Sequence, residues 1–506
     1  MIPIQLRSDA EFATLRAMLE RYDYTVEGIC ARTDVESIYD LSREWRPASE
    51  VMLRDGQDVL LRLLFEGGTV PATDMTPHLE AEEIAVLEAF GLIQRTSDQA
   101  WCPTVMLYPN AGVWMVSDLP ERDETTGQGA GADKVYYAAT SSVKVFLSTM
   151  PASPTGRFLE LCSGTGVAAL LAAKHGAAHT WAVDITNRST VFADFNRRLN
   201  DLPNMTALEG DLYAPVAGET FDWIVAHPPY VAAPTTEFIF RDGGDDGEQI
   251  SQAVLRDAYR HLAVGGTLIC TCTISQRRGR TTLDRVRELI GEHTDGFDIV
   301  YLRNGVADSL KKQVDELLAP EPERAAAALA LLRRFQQLEI EKVELCTLVL
   351  RKHGQPRAGQ AIHTERTGST TLREVEWLLG LHAVMRAPDF VERLFNAPIR
   401  LSPHARLGLE FTVSDDAESP WAPHDGMLTV MYPLPGRAPV NGSDAHLFAT
   451  FRGQHTLHAQ FQELMGAGLL PDDTTPPRFL QAVMPFVMQG ILETALHPIP
   501  QAPPLA

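Results

Sequence analysis

The residues best suited to bind a polar ligand lie near the middle of the chain, where apolar runs end on acidic or small residues. The apolar run from Arg157 ends on Glu160, and the tight turn Cys162–Gly166 follows directly. Small residues in such a turn let backbone N–H groups and the start of the next helix approach a carboxylate or a phosphate. A second apolar run ends on Asp184, where a carboxylate can accept hydrogen bonds from ribose hydroxyls. The pattern predicts a nucleotide-type α/β sheet.

A third stretch indicates which kind of ligand this sheet binds. Gly210-Asp211-Leu212 places a carboxylate where it could accept a hydrogen bond from an adenine amino group. The apolar strand Phe221–Ala226 then leads into His227-Pro228-Pro229-Tyr230. The two prolines fix φ and remove two backbone donors, so the carbonyls around them can point into a cleft. Such a turn, with an acceptor side chain and an aromatic ring, can hold a planar amide or amine for attack on a sulfonium methyl group.

The segments GDLYAPVAGETFDWIVAHPPYV and FRDGGDDGEQISQAVLRDAYRHLAVGGTLICT carry a family resemblance. The chain resembles the class I S-adenosylmethionine-dependent methyltransferases with a small methyltransferase (MTS) domain, and most of all the HemK/PrmC-like release-factor glutamine methyltransferases. The resemblance spans roughly Lys134 to Arg351 and implies a Rossmann-like, seven-stranded sheet with helices on both faces. It also implies S-adenosylmethionine as cofactor and requires no metal.

The resemblance assigns roles to individual residues. Those implied to bind the cofactor are Tyr137, Glu160, Cys162, Ser163, Gly164, Gly166, Asp184, Asp211 and Leu212. Those implied to orient the acceptor nucleophile and to line the transfer site are His227, Pro228, Pro229 and Tyr230. For Tyr137, packing against another aromatic ring is the alternative to cofactor contact.

Two positions depart from the family pattern. Cys162 replaces the first glycine of the turn, and His227 replaces an asparagine. In the family, that asparagine side chain and the carbonyl that follows it hold the substrate amide nitrogen. A neutral imidazole accepts one hydrogen bond but lacks the paired donor and acceptor of an amide, and it can take up a proton near neutral pH. The change argues against glutamine and admits an amine, a ring nitrogen or a hydroxyl, unless His227 only caps the strand.

Several classes of function remain open at this point. A nitrogen, or an oxygen, on a protein or peptide is favoured, because the flanking regions could select such a substrate. His227 and the unusual C-terminal region also agree with a small molecule of a biosynthetic pathway. The motif type permits a nucleic-acid base as acceptor. A scaffold that binds cofactor without transfer is the non-enzymatic alternative.

Composition bears on these alternatives. Lys and Arg total 44 against 66 Asp and Glu, a formal net charge of −22. This excess disfavours attraction to nucleic-acid phosphates or anionic membranes. The N-terminal residues lack a basic-then-apolar signal, no apolar run approaches a membrane span, and the 6 cysteines form no C-x-x-C pair. A cytoplasmic protein without a metal site or a membrane contact is expected, and a homodimer is left open.

With 506 residues, the chain is expected to form more than one domain. Residues 1–117 show helical patterns followed by a hairpin, which predicts a winged-helix-like domain. Its last helix, HLEAEEIAVLEAF, has four Glu and no Lys or Arg, so substrate recognition by protein contact is favoured over nucleic-acid binding. The acidic, glycine-rich stretch Asp118–Asp133 predicts a linker that could cover the active site as a flap. Residues 134–353 are the predicted methyltransferase domain, and 369–498 an α+β accessory domain.

Overall fold

The computed structural model describes residues 2–44, 52–119, 131–233, 236–304, 308–309, 322–355, 357–367, 370–413, 420–441 and 445–501. The chain divides into two compact units, of which the first comprises Met1–Tyr301 with Val306–Ala361 and the second Leu302–Gly305 with Ile362–Ala506. Most of the linker predicted at Asp118–Asp133 lies outside the described residues, so the flap stays a prediction. The functional division into three domains also stays a prediction.

The first unit is built on one large sheet. Its seven main strands are, in chain order, β1 (Arg157–Leu161), β2 (His179–Asp184), β3 (Met205–Glu209), β4 (Phe221–Ala226), β5 (Leu262–Arg277), β6 (Phe297–Arg303) and β7 (Ile340–Lys352). Their order in space is β6-β7-β5-β4-β1-β2-β3. Strands β1 to β5 pair in parallel with their neighbours, whereas β7 runs antiparallel to β5. The expected Rossmann-like α/β fold is confirmed.

The sheet has nine strands, whereas the resemblance implied seven. The two additional strands are short, Asp308–Ser309 and Ala361–Glu365. Asp308–Ser309 pairs with Val343 and Lys342 of β7. Strand β7 is 13 residues long and β6 is 7, so β6 leaves backbone groups of β7 that a further strand can pair.

Helices cover both faces of the sheet, as a mostly parallel sheet requires. They are α1 (Val167–Lys174), α2 (Asn187–Leu199), α3 (Gln249–His261), α4 (Thr282–Ile290) and α5 (Pro322–Gln337), with two 3₁₀ turns at Ala214–Val216 and Gly291–Gly296. Leu170 of α1 and Phe195 of α2 belong to one hydrophobic core, and Val254 of α3 belongs to another. Strands between two such cores are apolar on both sides, and Cys270 of β5 is fully buried among them.

The N-terminal part of the first unit consists of short helices and small sheets. Its helices are Asp9–Arg21, Val26–Thr33, Ile38–Glu44, Gly56–Leu60, the π-helix Leu61–Phe65, Ala72–Met75 and Ala81–Ala89, and Ser141–Ser148 precedes the large sheet. Its strands are Val70–Pro71, Ile93–Arg95 and Ala100–Pro103 in one sheet, and the hairpin Met106–Asn110 with Val113–Ser117 in another. Helices followed by antiparallel strands agree with the sequence pattern.

The N-terminal part shares a core with the large sheet. The rings of Phe12 and Phe90 lie 4.7 Å apart, and both contact Phe195 of α2, at 5.0 and 5.6 Å between centroids. All three side chains are fully buried. The first helix begins with a capping box, in which Ser8 and Glu11 each bond the other's backbone N–H. The two regions that the sequence separated by a linker are therefore packed together.

The second unit has its own core. Its helices are Leu372–Met385, Phe390–Phe395, Ala445–Phe448, Leu457–Gly466 and Pro476–Met488. Its strands form two three-stranded sheets, in the order Arg452–Thr456, Pro398–Leu401, Leu492–Thr494 and in the order Arg406–Val413, Trp421–Val430, Gly436–Asn441. Buried side chains from both sheets and from the helices join in one cluster. This mixture of helices and antiparallel strands agrees with the predicted α+β character.

Candidate active site

The predicted site residues lie along one edge of the large sheet. Leu161 of β1 is in register with Ala226 of β4, and Asp184 of β2 with Glu209 of β3. The chain leaves all four parallel strands at the same edge, because neighbouring parallel strands end together. Ligands of open α/β sheets bind outside this carboxyl edge. The fold therefore brings the turn after β1, the acid of β2, Asp211 and the HPPY segment into one region.

The turn after β1 has a backbone that favours glycine. Residues 162, 164 and 166 have φ values of 54°, 51° and 77°, all in the left-handed region. Gly164 and Gly166 adopt such angles without strain, whereas Cys162 does so at a cost of about 1 kcal/mol or more. The left-handed φ explains why a glycine is suited to the position of Cys162. A Cβ on Gly164 would meet no atom within 4 Å, so this part of the turn borders open space.

Asp184 supports the turn. Its Oδ2 accepts the N–H of Gly164 at 2.9 Å, and its Oδ1 accepts the N–H of Thr186 at 3.1 Å. Its Oδ1 also accepts the hydroxyl of Thr186 at 3.2 Å. A carboxylate has about four acceptor positions, so these three bonds leave capacity for about one ligand hydroxyl. Asp184 thus has two compatible roles, because it fixes the turn and can still accept a further hydrogen bond.

Glu160 lies beneath the turn and is only 3% exposed. Its two carboxylate oxygens accept the N–H groups of Ala168 and Ala169, at 3.2 and 2.8 Å, in the first turn of α1. Burial raises the pKa of Glu160 to about 8, against the two backbone N–H groups that lower it. The structure shows Glu160 fixing the start of α1. Its predicted contact with the cofactor stays a prediction.

The adenine end of the predicted site is open. Asp211 is exposed, and Leu212 follows it with φ 46°. Ile185, directly after Asp184, is an exposed apolar residue at 56%. The side of Ile185 could cover the face of a planar ring, and Asp211 could accept hydrogen bonds from its edge. Sequence reasoning missed Ile185, although its place after the acid was a usable signal.

Tyr137, which the resemblance implied as a cofactor contact, packs against the hairpin residue Tyr108. Its ring meets that of Tyr108 edge-on at 4.4 Å, and the residue is 8% exposed. Its hydroxyl is buried and has no hydrogen-bond partner among the described residues. Packing against an aromatic ring was the alternative considered from the sequence, and the structure shows that packing. Whether the hydroxyl also meets the cofactor stays a prediction.

His227 lies at the end of β4 between aromatic rings. Its imidazole stacks on Phe146 at 5.3 Å and on Tyr230 at 5.6 Å between centroids. Its Nε2 atom is buried and has no hydrogen-bond partner within the part of the chain that the structure describes. Burial lowers the pKa of His227 to about 4. The imidazole is therefore neutral at physiological pH.

A glycine-rich loop covers the backbone of the HPPY segment. Val231 donates its N–H to the carbonyl of Arg241 at 2.9 Å, and Gly243 donates to the carbonyl of Val231 at 2.8 Å. A Cβ on Gly243 would lie 2.6 Å from the Pro229 carbonyl oxygen. Only glycine allows this approach. The RDGG sequence thus places a tight loop against the prolines, where the sequence had suggested only a polar loop.

None of the helices that the structure describes is long and apolar enough to cross a membrane. Among the described residues, there is no group of three or more His, Cys, Asp or Glu side chains placed to hold a metal ion.

The residues after β1 fit a nucleoside cofactor with a polar tail. The buried hydroxyl of Ser163 has no partner among the described residues, and the space beside Gly164 is open. Asp184 ends β2, Asp211 follows β3, and the HPPY segment follows β4. This combination of fold and site defines an S-adenosylmethionine-dependent methyltransferase, with S-adenosylmethionine as methyl donor.

Comparison with known proteins specifies the family. Residues 138–294 match the family described as methyltransferase small domain. The chain is 33% identical over 144 residues to a putative protein N5-glutamine methyltransferase of Methanocaldococcus jannaschii, which covers 27% of this chain and 70% of that protein. The chain belongs to this family of small-domain, HemK/PrmC-like methyltransferases.

Other relatives match over shorter shares of their length. A ribosomal protein uL3 glutamine methyltransferase of Bradyrhizobium diazoefficiens is 37% identical over 161 residues, 29% of this chain and 46% of that protein. A release factor glutamine methyltransferase of Thermodesulfovibrio yellowstonii is 28% identical over 129 residues, 23% and 46% of the two chains. The chain thus spans about half the length of these two relatives. A solved ribosomal protein L11 methylase of Lactobacillus delbrueckii, 18% identical over 42% of this chain and 77% of that one, has a TM-score of 0.25, which supports no argument.

Proposed function

We propose that this protein transfers the methyl group of S-adenosylmethionine to a side-chain nitrogen of a protein or peptide, held at His227-Pro228-Pro229-Tyr230. The observation that carries the proposal is the buried Nε2 of His227, which has no partner among the described residues. It lies at the end of β4, the strand next to β1 and its turn. An unsatisfied buried nitrogen costs about 1–3 kcal/mol, and a substrate N–H would remove that cost.

The relatives support a protein acceptor. Their names give ribosomal protein uL3 and a release factor as substrates, with glutamine as the methylated residue. In this chain, His227 restricts which acceptor side chains the site can hold. A neutral His227 presents one ring nitrogen, so it can accept one N–H of the acceptor while the Pro228 carbonyl accepts another. An amine nitrogen meets this requirement in full, whereas a glutamine amide would find no donor on the accepting nitrogen of His227 for its carbonyl oxygen.

The cofactor would lie across the ends of β1, β2 and β3. Ser163, Gly164 and Gly166 would hold its methionine part, with Cys162 in the same turn. Asp184 would accept a ribose hydroxyl, and Asp211 with Leu212 and Ile185 would surround the adenine. When bound, S-adenosylmethionine supplies a methyl group already activated by its sulfonium charge. Positioning the nucleophile in line with that methyl group then accounts for most of the rate.

The neutral state of His227 suits a cationic methyl donor. A protonated imidazole beside a sulfonium would repel it, and it would lose the lone pair that accepts the substrate N–H. Burial among Phe146 and Tyr230 favours the uncharged form. Tyr230 in turn has its carbonyl fixed by the hydroxyl of Thr273 at 3.0 Å. The HPPY segment is therefore rigid and uncharged at the point where the nucleophile would lie.

Calorimetric titration with S-adenosylmethionine tests the cofactor site. Asp184→Ala should abolish saturable binding, because it removes the ribose acceptor and the support of Gly164. Asp222→Ala is the matched control, since Asp222 accepts the N–H of Arg157 at 2.8 Å but at the opposite edge of the same sheet. Binding by wild type and by Asp222→Ala, but not by Asp184→Ala, supports the proposal. Wild-type protein that does not bind, or equal losses in both variants, would contradict it.

Transfer is tested with labelled methyl donor. Wild-type protein, His227→Ala and His227→Asn would be incubated with uL3, with a release factor and with a protein extract, and labelled residues identified by mass spectrometry. His227→Ala should bind the cofactor as wild type does and lose transfer. Label on a side-chain nitrogen supports the proposal. Label found only on small molecules or nucleic acid would show that the acceptor is not a protein. No label in any fraction would favour a non-enzymatic role.

A further inference from the structure

Asn196 connects the cofactor turn to the N-terminal hairpin. It lies on α2, is fully buried, and uses both ends of its amide. Its Oδ1 accepts the N–H of Val116 at 2.7 Å. Its Nδ2 donates to the carbonyl of Val116 at 3.2 Å and to the carbonyl of Thr165 at 3.0 Å. One side chain thus touches the hairpin strand and the turn after β1.

The hairpin side of this contact is a repeated pattern. Asn200 makes the same reciprocal pair with Trp114, accepting its N–H at 2.9 Å and donating to its carbonyl at 2.6 Å. Four residues along a helix advance about 6 Å and two residues along a strand about 6.6 Å, so asparagines at 196 and 200 match strand positions 114 and 116. The two amides pair with the free edge of strand Val113–Ser117 as a neighbouring strand would.

Of these two asparagines, only Asn196 also contacts the turn after β1. Thr165 lies between Gly164 and Gly166, which both have a left-handed φ, and Thr165 itself is only 3% exposed. The rest of the turn is fixed from within the sheet, by Asp184 at Gly164 and by the Val183 carbonyl at Ser163. Because Val116 bonds both ends of the Asn196 amide, it sets the plane of that amide and aims the second Nδ2 hydrogen at Thr165.

We propose that Asn196 is a positioning residue through which the hairpin Met106–Ser117 fixes the peptide of Thr165, so that cofactor affinity and hairpin order are coupled. The proposal rests on the proposed function only in requiring that the turn binds S-adenosylmethionine. Coupling between two sites is reciprocal, so whatever orders the hairpin strengthens cofactor binding, and bound cofactor orders the hairpin.

Asn196→Asp and Asn200→Asp form a matched pair for the test. Each keeps an oxygen for the strand N–H and loses the donor to the strand carbonyl. Only Asn196→Asp also loses the bond to Thr165 and places a carboxylate oxygen against that carbonyl. Titration with S-adenosylmethionine, well below both melting temperatures, should show at least tenfold weaker binding for Asn196→Asp and less than twofold for Asn200→Asp. Equal affinities in the two variants would overturn the proposal, whatever their melting temperatures.

A second measurement uses the unaltered protein, so it does not depend on the fold of a variant. Amide hydrogen exchange at single-residue resolution would be compared with and without S-adenosylmethionine. The N–H groups of Val116 and Trp114, which donate to Asn196 and Asn200, should both exchange more slowly with cofactor. The slowing should be several-fold larger at Val116, because only Asn196 also bonds Thr165. No change at Val116, or a larger change at Trp114 than at Val116, would overturn the proposal. Absence of cofactor binding by wild-type protein would instead contradict the proposed function.

Discussion

At the scale of single residues, a comparison of two glycines can distinguish the effect of backbone strain from the effect of a lost cofactor contact. Gly164 has φ 51° and Gly218 has φ 82°, and a Cβ on either would meet no atom within 4 Å. Gly164 lies in the turn at the carboxyl edge of the sheet. Gly218 lies at the opposite edge, next to Glu219, which pairs with Arg157 at the start of β1. The open space beside Gly164 belongs to the proposed cofactor site, whereas the open space beside Gly218 does not.

Gly164→Ala should reduce cofactor affinity by more than its loss of stability explains. Both Gly164→Ala and Gly218→Ala should lower the free energy of unfolding by about 1–2 kcal/mol, because alanine is strained at positive φ. Only Gly164→Ala should weaken S-adenosylmethionine binding, by about tenfold or more, since its methyl group fills the space beside the turn. Urea unfolding and calorimetry measure the two quantities. Similar affinities for both variants would show that the space beside Gly164 is not the cofactor site.

His227 gives a prediction for pH dependence. Its pKa is about 4 in the folded protein and about 6.5 when unfolded, so between these values only the unfolded chain takes up the proton. The stability that this neutral imidazole contributes is present above pH 6.5 and is lost as pH falls towards 4. From pH 7 to pH 5, wild type should therefore lose about 2 kcal/mol more than His227→Asn.

The measurement is urea unfolding of both proteins at the two pH values. If His227→Asn responds to pH as wild type does, His227 is not held neutral by burial. The acceptor site proposed above would then need a charged residue beside the methyl donor.

Residues of the site were predictable where local chemistry alone identifies them. Asp184 and His227 stand directly after apolar runs that only a sheet explains, so their place at the strand ends follows from the pattern. Asn196 was not found, although it falls between Phe195 and Leu199 on the buried face of α2. A polar residue on such a face is a usable signal. Its partners Val116 and Thr165 are distant along the chain, and no local pattern indicates them.

At the scale of elements, a buried ion pair fixes the segment that follows the glycine-rich loop. Glu248, at the start of α3, is 1% exposed and accepts hydrogen bonds from Arg285 Nε at 3.1 Å and from the N–H of Ser275 at 2.6 Å. Burial raises the pKa of Glu248, and Arg285 and the backbone N–H act against it. The pair joins α3, α4 and β5 behind the loop that covers Pro229.

Arg285→Leu should be strongly destabilising, by about 3–5 kcal/mol, because it removes the close cation from the buried carboxylate of Glu248 and leaves only the longer contact with Arg277, at 3.5 Å. Arg287→Leu, two residues further on the same helix, should cost less than about 0.5 kcal/mol. Arg287 pairs with Asp284 at 3.4 Å, and both side chains are 46% exposed, so the solvent screens that pair. Chemical unfolding followed by far-ultraviolet circular dichroism measures both. Comparable losses would mean that Glu248 is satisfied without Arg285.

Element boundaries were predictable where the apolar pattern is complete. Strand β4 has the limits expected, Phe221–Ala226. The Ala- and Leu-rich pattern predicts a helix over 323–337, and α5 is Pro322–Gln337. The apolar run predicts a strand over 267–274, whereas β5 spans Leu262–Arg277. Of its additional residues, Ser275 and Gln276 pair with β7, and Leu262 pairs with Phe221 of β4. Pairing with a distant strand sets those limits, and side-chain polarity along β5 does not report it.

At the scale of the whole molecule, composition suggested more separation than the structure shows. The acidic, glycine-rich stretch between residues 118 and 133 suggested a domain boundary. Asp118, however, accepts a hydrogen bond from the N–H of Val135 at 2.8 Å and forms an ion pair with Arg188 of α2. The two ends of the stretch are thus joined to each other and to the sheet. An apolar helix face shows that something covers it, but not which element does.

Phe12→Ala tests whether the N-terminal helices and the large sheet form one cooperative unit. Phe12 is 1% exposed and contacts both Phe90 and Phe195, so its loss should cost about 3–5 kcal/mol. Amide exchange should then accelerate in helix Asp9–Arg21 and in α2 together, whereas Leu6→Ala, at a position 44% exposed, should change neither. Acceleration confined to the N-terminal helices would show that they fold separately. Acceleration in both would place the cofactor turn, which α2 supports through Asn196, under the control of N-terminal packing.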